Sequence, residues 1–298
     1  MADMGQEKYI EFVESVQPPV PKRDKWVLIV STLFGCPVGC KICDAGGFFK
    51  GKMSKEQIMR QIDFLVDRDF AGRKVPVGKF KVQFARMGEP ALNPAVLDVL
   101  EELPARFDAP GLMPSVSTIA PAGCDDFFSR LLDIKNRLYD GGRFQLQFSI
   151  HSTDMAQRDQ WIPVKKWDFA AIASYGARFV SSGDRKVTLN FALSTESEVD
   201  PDTLLHYFDP ALFLIKLTPV NPTVSVTQAN ISSAITQERE PEHNHVAATL
   251  RDCGYDVLVS VGEWEENRIG SNCGQFIKTF QQSQLPMNDS YIYQLQEN

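Results

Sequence analysis

Trp26-Val-Leu-Ile-Val-Ser-Thr-Leu33, then Gly35-Cys-Pro-Val-Gly-Cys-Lys-Ile-Cys43, is the stretch on which the reading of this chain turns. The apolar run predicts a buried strand. The loop behind it carries Cys36, Cys40 and Cys43 in C-x3-C-x2-C spacing. Three thiolates this close cannot all pair in disulfides, but one loop can wrap them around a single inorganic centre. A [4Fe-4S] cluster ordinarily takes four Cys thiolates, one per iron. With no fourth cysteine nearby, one iron is left without a protein ligand, and a substrate or cofactor can bind there. The competing reading is a zinc-stabilised binding module with no catalysis. Zinc knots favour C-x2-C pairs with two further Cys or His ligands at similar spacing, and none follows here.

Working outward from that loop, predicted strands and helices alternate, the pattern of parallel βαβ units. Ser54-Lys-Glu-Gln57 reads as a capping box that opens a helix with Ile58, Ile62 and Leu65 on one face. Strands are expected near 79–85, 114–118, 144–150, 187–193 and 212–217. Asn93-Pro94 reads as the N-cap and first residue of one intervening helix, and another runs from about Asp125 to Leu138. Six βα-type units are reached before a long polar loop over 219–241, and a last helix and strand fall within about 243–261. The count suits a partial barrel rather than a closed eight-fold one. In parallel α/β barrels the ligand site lies at the C-terminal ends of the strands.

Composition narrows the function classes. A chain of 298 residues suits one large α/β domain or two small ones. No apolar run reaches membrane-spanning length, and the N-terminus MADMGQEKYIEF lacks the regions of a signal peptide. Six cysteines, three of them clustered, fit metal binding in a reducing compartment better than a disulfide framework, so a cytoplasmic location is expected. The net charge of -7 disfavours a grip on a nucleic-acid backbone, which calls for a basic balance or stripe. Lys22-Arg23, Lys50-Gly-Lys52 and Lys165-Lys166 read as solvated faces or strand flanks.

Further polar residues fall at predicted strand ends. Gly88 and Glu89, in Phe84-Ala-Arg-Met-Gly-Glu-Pro90, end the second strand. Glycine admits a ligand close to the backbone, and a carboxylate there can accept hydrogen bonds from an ammonium group. Ser117 ends the third strand, Ser149 and His151 the fourth, and Asn221 the sixth. Taken singly, each reads as a turn, a cap or a hydrogen-bonded structural residue. Their common rim is what raises them to candidates.

The C-x3-C-x2-C loop resembles that of the radical S-adenosylmethionine (SAM) enzymes, which use an incomplete (β/α)6 barrel. Seven segments in order resemble one subfamily, the radical-SAM adenine methyltransferases of ribosomal and transfer RNA. They are Gly35–Cys43, Met87–Asn93, Val116–Thr118, Phe148–Ser152, Ile162–Lys166, Leu217–Pro222 and Asn272-Cys-Gly-Gln275. The fold implied is a single α/β domain: a partial (β/α)6 radical-SAM barrel over 25–262, an N-terminal extension over 1–24, and a C-terminal loop and tail over 263–298 carrying Cys273. The resemblance implies that Cys36, Cys40 and Cys43 hold [4Fe-4S], whose open iron chelates SAM. It places Gly88, Glu89, Ser117, Ser149, His151 and Asn221 around that SAM, with Glu89 at its amino group. Reductive cleavage then gives methionine and a 5'-deoxyadenosyl radical, the electron coming from a donor such as flavodoxin or ferredoxin. Cys273 matches the family's methyl carrier, which relays a methyl group to an sp2 carbon. Covalent relay of this kind splits one hard step into feasible ones.

The match breaks in two places. The RNA enzymes carry a second essential cysteine seven residues before the first cluster cysteine, and Ile29 stands there. They also carry an N-terminal helical domain for substrate handling, whereas about 25 residues precede the first strand here. Glu14 resembles the family's proton-accepting glutamate only at a different spacing. With the acidic balance, these departures point to a small molecule, peptide or nucleoside as substrate rather than a large folded RNA. A radical-SAM enzyme that abstracts hydrogen without methyl transfer is the second enzymatic reading.

Overall fold

The computed structural model describes residues 1–16, 20–236, 245–262, 272, 274 and 276–283. Its centre is an eight-stranded sheet in which spatial order follows chain order. The strands are β1 (Val13–Ser15), β2 (Lys25–Val30), β3 (Lys79–Phe84) and β4 (Leu112–Thr118), then β5 (Gln145–Ser149), β6 (Val187–Leu193), β7 (Phe213–Pro219) and β8 (Asp256–Val259). β1 runs antiparallel to β2, and every later neighbour pair is parallel. β1 and β8 are the two ends of this order, so the barrel is open. One cavity touches residues from β1 to Ser260, just past β8, which requires the sheet to curl around it.

Helices α1 (Lys55–Asp69), α2 (Ala95–Arg106), α3 (Asp125–Leu138) and α5 (Phe169–Phe179) return the chain between strands, with the short α4 (Met155–Trp161) before α5. The capping box at Ser54 and Gln57 is formed in both directions, satisfying two backbone donors that a helix start leaves open. Alternation within each strand separates two environments. Trp26, Leu28 and Val30 of β2 and Phe80, Val82 and Phe84 of β3 are fully buried in the helix-covered core. Trp26 stacks on Phe80 at 5.2 Å between ring centroids. Truncating such an aromatic to alanine costs about 3–5 kcal/mol.

The other face of the same strands points into the barrel and is polar. Register sets Ile29 beside Gln83, Gln83 beside Ser115, and Ser115 beside Gln145. One step higher, Ser117, Gln147 and Thr188 are neighbours, and above them Ser149, Asn190 and Lys216. Closed α/β barrels fill this space with bulky branched side chains. Here it is left to small and hydrogen-bonding ones, and a cavity results.

Several boundaries differ from those expected. The first strand stops at Val30, and Leu33–Gly35 leaves the sheet to pair with Phe49–Lys52. Ser31 and Thr32 make the break because their backbone N–H groups go to Gln61 Oε1 and Met87 O. Pro94, not Asn93, caps α2. The buried Asn93 amide donates to Thr32 O and Met53 O, both at 2.8 Å, and so ties three segments together. Within the expected long loop, α6 (Val224–Gln228) forms, with Thr223 accepting from Val226 N–H at 3.0 Å.

Candidate functional site

The cysteine loop is built to be tight. Gly35 has φ +77°, and a Cβ there would lie 2.1 Å from Phe48 O, while Cys36 N–H donates to that same oxygen at 3.0 Å. Val38 and Ile42 pack with Trp161, Ile162, Ala192 and Val220, an apolar collar around the thiols. Asp44, buried directly behind Cys43, accepts from Val224 N–H and Ser225 N–H, each at 2.9 Å, and from Ser225 Oγ at 2.8 Å. It therefore clasps the loop to the segment following β7. Burial pushes the Cys36 thiol up to about 11, with smaller contributions from Glu89. Cys40 is pushed up to about 12 by burial first, then by Cys36 and Glu89. Metal ligation takes the thiolate, so binding a cationic group here would release those protons.

All nine candidate residues that fall among the described ones line one cavity of about 360 Å³: Cys36, Cys40, Cys43, Gly88, Glu89, Ser117, Ser149, His151 and Asn221. Cys273 lies outside the described residues, but both neighbours, Asn272 and Gly274, line the same cavity. Gly88 has φ +95°, and a Cβ there would meet Leu33 at 2.5 Å, so glycine is required.

Glu89 is buried, with Oε1 accepting from Ala91 N–H at 3.0 Å and from the Thr118 hydroxyl, and Oε2 from Ile119 N–H at 2.9 Å. Burial still raises its pKa to about 7 against those three hydrogen bonds. An ammonium entering the cavity would restore the charged form. His151, at φ +66°, accepts from Ala192 N–H through Nδ1 at 3.0 Å, which leaves the proton on Nε2 as a donor. Burial, and then the charge of Arg158, lower its pKa to about 4.

Two buried side-chain oxygens on the cavity wall, Ser117 Oγ and Asn190 Oδ1, have no hydrogen-bond partner among the described residues. Buried polar groups are nearly always satisfied, so the pair marks where a ligand's polar groups belong. Asn190 was not a sequence candidate, although a lone amide inside the apolar run of β6 is a readable signal. Arg86 and Asp44 were also missed. Arg86 is buried against Glu11, with Nε and Nη2 at 2.8 and 2.6 Å from Oε2, and its Nη1 donates to Asn272 O at 2.6 Å. Ile29 lines the cavity too, and Glu14 is held by Lys22, Arg68 and Trp26 Nε1. Cys124 and Cys253 are half-buried against the apolar core.

Two tests bear on which groups the cavity fits. Among the described residues no three Cys, His, Asp or Glu side chains are gathered tightly enough to hold one metal ion. The orphaned Ser117 and Asn190 oxygens, with Glu89 and the His151 donor, suit a ligand carrying hydroxyls, a carboxylate and an ammonium.

Comparison with known proteins agrees with this geometry. No family model matches the chain. It is 28% identical over 261 residues to a probable dual-specificity RNA methyltransferase RlmN from Desulfitobacterium hafniense, covering 85% of this chain and 68% of that protein. The same-named protein of Heliobacterium modesticaldum is 26% identical over 292 residues, covering 91% and 70%. Among solved structures, a radical SAM methyltransferase from Sphaerobacter thermophilus superposes with a TM-score of 0.65 at 20% identity, over 89% of this chain and 73% of that one. The chain is thus similar in sequence to probable RNA methyltransferases named RlmN and in fold to a radical SAM methyltransferase. The open, curled sheet described above is the fold of that radical SAM methyltransferase.

Proposed function

We propose that Cys36, Cys40 and Cys43 hold a [4Fe-4S] cluster and that the cavity beside them binds SAM. In this reading the chain methylates an sp2 carbon of a small substrate through Cys273. When bound, the two cofactors supply one-electron reducing power, a hydrogen-abstracting radical and a transferable methyl group. The protein's part is placement. Glu89 accepts from the amino group of SAM, His151 Nε2 donates, and Ser117, Ser149, Asn190 and Asn221 take the remaining polar atoms. Val38, Ile42, Trp161 and Val220 keep water from the thiols. Cys273 is assigned the methyl group because its neighbours Asn272 and Gly274 line the cavity, with Asp44 N–H donating to Gly274 O at 2.9 Å.

The observation that carries this reading is the convergence of residues from six separate segments on a single cavity that also contains two orphaned oxygens. The net charge of -7 and the cavity's size favour a small substrate over a large RNA. No helix among the described residues is long and apolar enough to cross a membrane, and we place the chain in the cytoplasm with a flavodoxin or ferredoxin as its donor.

Anaerobic reconstitution with iron, sulfide, SAM and a reductant tests the reading. Release of 5'-deoxyadenosine and a one-carbon mass increment at Cys273 are expected, both lost in Cys36→Ala. A colourless protein retaining zinc would overturn the proposal. Methyl incorporation into a small-molecule extract, compared with total RNA, decides the substrate class. Ile29 on the cavity wall favours a second reading, hydrogen abstraction without methyl transfer, for which Cys273 stays unmodified after turnover.

A further inference from the structure

Four carboxamides are buried among the described residues: Gln61, Asn93, Gln147 and Asn190. Two of them are answered by the protein's own peptide groups. Gln61 Oε1 accepts from Ser31 N–H and its Nε2 donates to Ser31 O, each at 2.9 Å. Asn93 Nδ2 donates to Thr32 O and Met53 O, and its Oδ1 accepts from Ala95 N–H at 3.2 Å. The two on the cavity wall differ. Asn190 Oδ1 is the orphan already described, and Gln147, 8% exposed, has no hydrogen-bond partner among the described residues. Gln83, half-buried on the same wall, has none either.

The layer beneath Gln147 is closed by the protein itself. Gln145, two residues back on β5, accepts from Lys81 Nζ at 2.9 Å and donates to Thr188 Oγ1 at 3.3 Å. Gln147 stands one inward step higher, beside Ser117 of β4. Gln83 of β3 lies beside Ser115, which lies beside Gln145. Two strands and one inward step therefore separate Gln83 from Gln147, about 12 Å between backbones at ordinary strand spacing and rise. That leaves room for one flat group between the two amides.

An unmet buried amide costs stability, and such groups are nearly always paired. A carboxamide presents a donor beside an acceptor, whichever way its oxygen and nitrogen are assigned. Its complement is an N–H beside a C=O, the edge that Ser31 gives Gln61. A carboxylate offers only acceptors and an ammonium only donors, so either leaves half of each amide unanswered.

We propose that Gln147 and Gln83 determine substrate specificity by holding a neutral amide edge, an N–H beside a C=O, on the cavity wall next to Ser117. This rests on the reading that the cavity binds SAM, whose polar atoms are assigned to Glu89, His151, Ser117, Ser149, Asn190 and Asn221. Gln147 and Gln83 are the amides left for the substrate, which is uncharged where they grip it.

The test is binding without reductant, in anaerobic holoprotein saturated with SAM. Release of 5'-deoxyadenosine on adding reductant to the same preparation is read separately, so amide recognition and the radical-SAM reading can fail apart. Calorimetric titration uses hypoxanthine as a lactam and N-acetylglycine N-methylamide as a peptide amide. Each has a counterpart with its amide N–H groups methylated, and benzoate is the anionic control. Saturable binding is expected, and the tighter of the two amides names the source of the edge. Methylation should weaken it at least about fivefold, the worth of one neutral hydrogen bond, and benzoate should not compete. Gln147→Met and Gln83→Met should each weaken the amide by about tenfold and leave SAM affinity unchanged. Gln147→Met should melt no lower than the natural chain, a result that a purely structural glutamine would not give. Where a variant does not fold, the methylated counterparts on the natural protein decide. Equal binding of amide and methylated counterpart, displacement of SAM by the amide, full affinity in both variants, or no saturable binding of either amide overturns the proposal.

Discussion

Two buried glutamates have opposite fates. Burial raises the pKa of both. Glu11 is matched to a guanidinium: Arg86 reaches Oε2 with two nitrogens, and the side chains are 4% and 2% exposed, although Oε1 has no hydrogen-bond partner among the described residues. Glu89 faces the cavity and receives only neutral donors, the Thr118 hydroxyl and two backbone N–H groups. A charge that the protein completes itself is architectural, whereas one left to be completed from outside is a binding determinant. Arg86 also shows how architecture serves the site, because its third contact, to Asn272 O, fixes the residue before Cys273.

The largest effect expected from breaking this contrast lies on the sealed side. Arg86→Ala strands the Glu11 carboxylate and should cost about 3–5 kcal/mol in denaturant unfolding. The double change Arg86→Met with Glu11→Leu should recover most of that loss, since a well-packed apolar pair replaces a desolvated ionic one. A double variant as unstable as Arg86→Ala would show that the contact to Asn272, rather than the ion pair, dominates.

His151 supplies a third buried titratable group and a pH signature. Its pKa falls from 6.5 to about 4 on folding, burial being the larger cause and Arg158 the second. The unfolded chain therefore binds the proton more readily between those values, and stability is lost as pH falls from about 6.5 toward 4. The full contribution is on the order of 3 kcal/mol. His151→Gln should flatten that part of the stability profile, and an unchanged slope would place the acid sensitivity elsewhere.

On the open side, Glu89→Gln removes the charge and one acceptor for Ile119 N–H, so stability should move by no more than about 1 kcal/mol. SAM affinity should fall roughly 10–150-fold, the worth of a charge-assisted hydrogen bond of about 1.5–3 kcal/mol. Equilibrium dialysis with labelled SAM checks it. Equal losses of stability and affinity would make Glu89 as architectural as Glu11.

What could be read ahead of the structure follows the same division. The cysteine loop was legible because its C-x3-C-x2-C spacing is wholly local, three thiols within eight consecutive residues from Cys36 to Cys43. The strand-end candidates could be placed on one rim because parallel strands deliver their C-terminal ends there. Arg86 was not, since its partners lie 75 and 186 residues away. Asp44 answers residues about 180 positions on. Lys81 and Lys216 were placed in strands, but which face each presents depends on register and curl, neither of which is a local property. The break at Ser31 was hidden for the same reason, its partners being Gln61 and the Met87 segment.

The smallest expected effect is also the most discriminating. Ser117 Oγ is buried without a partner among the described residues, so Ser117→Ala gives up no hydrogen bond to them and removes an unmet desolvation cost. Stability should therefore hold or rise by up to about 1 kcal/mol. SAM binding should weaken by about fivefold, the worth of one neutral hydrogen bond near 1 kcal/mol. Gains and losses in opposite directions are the mark of a group kept for a ligand. If Ser117→Ala instead destabilises the chain and leaves SAM affinity unchanged, Ser117 answers to the protein alone, and the assignment of the orphaned oxygens to the ligand fails with it.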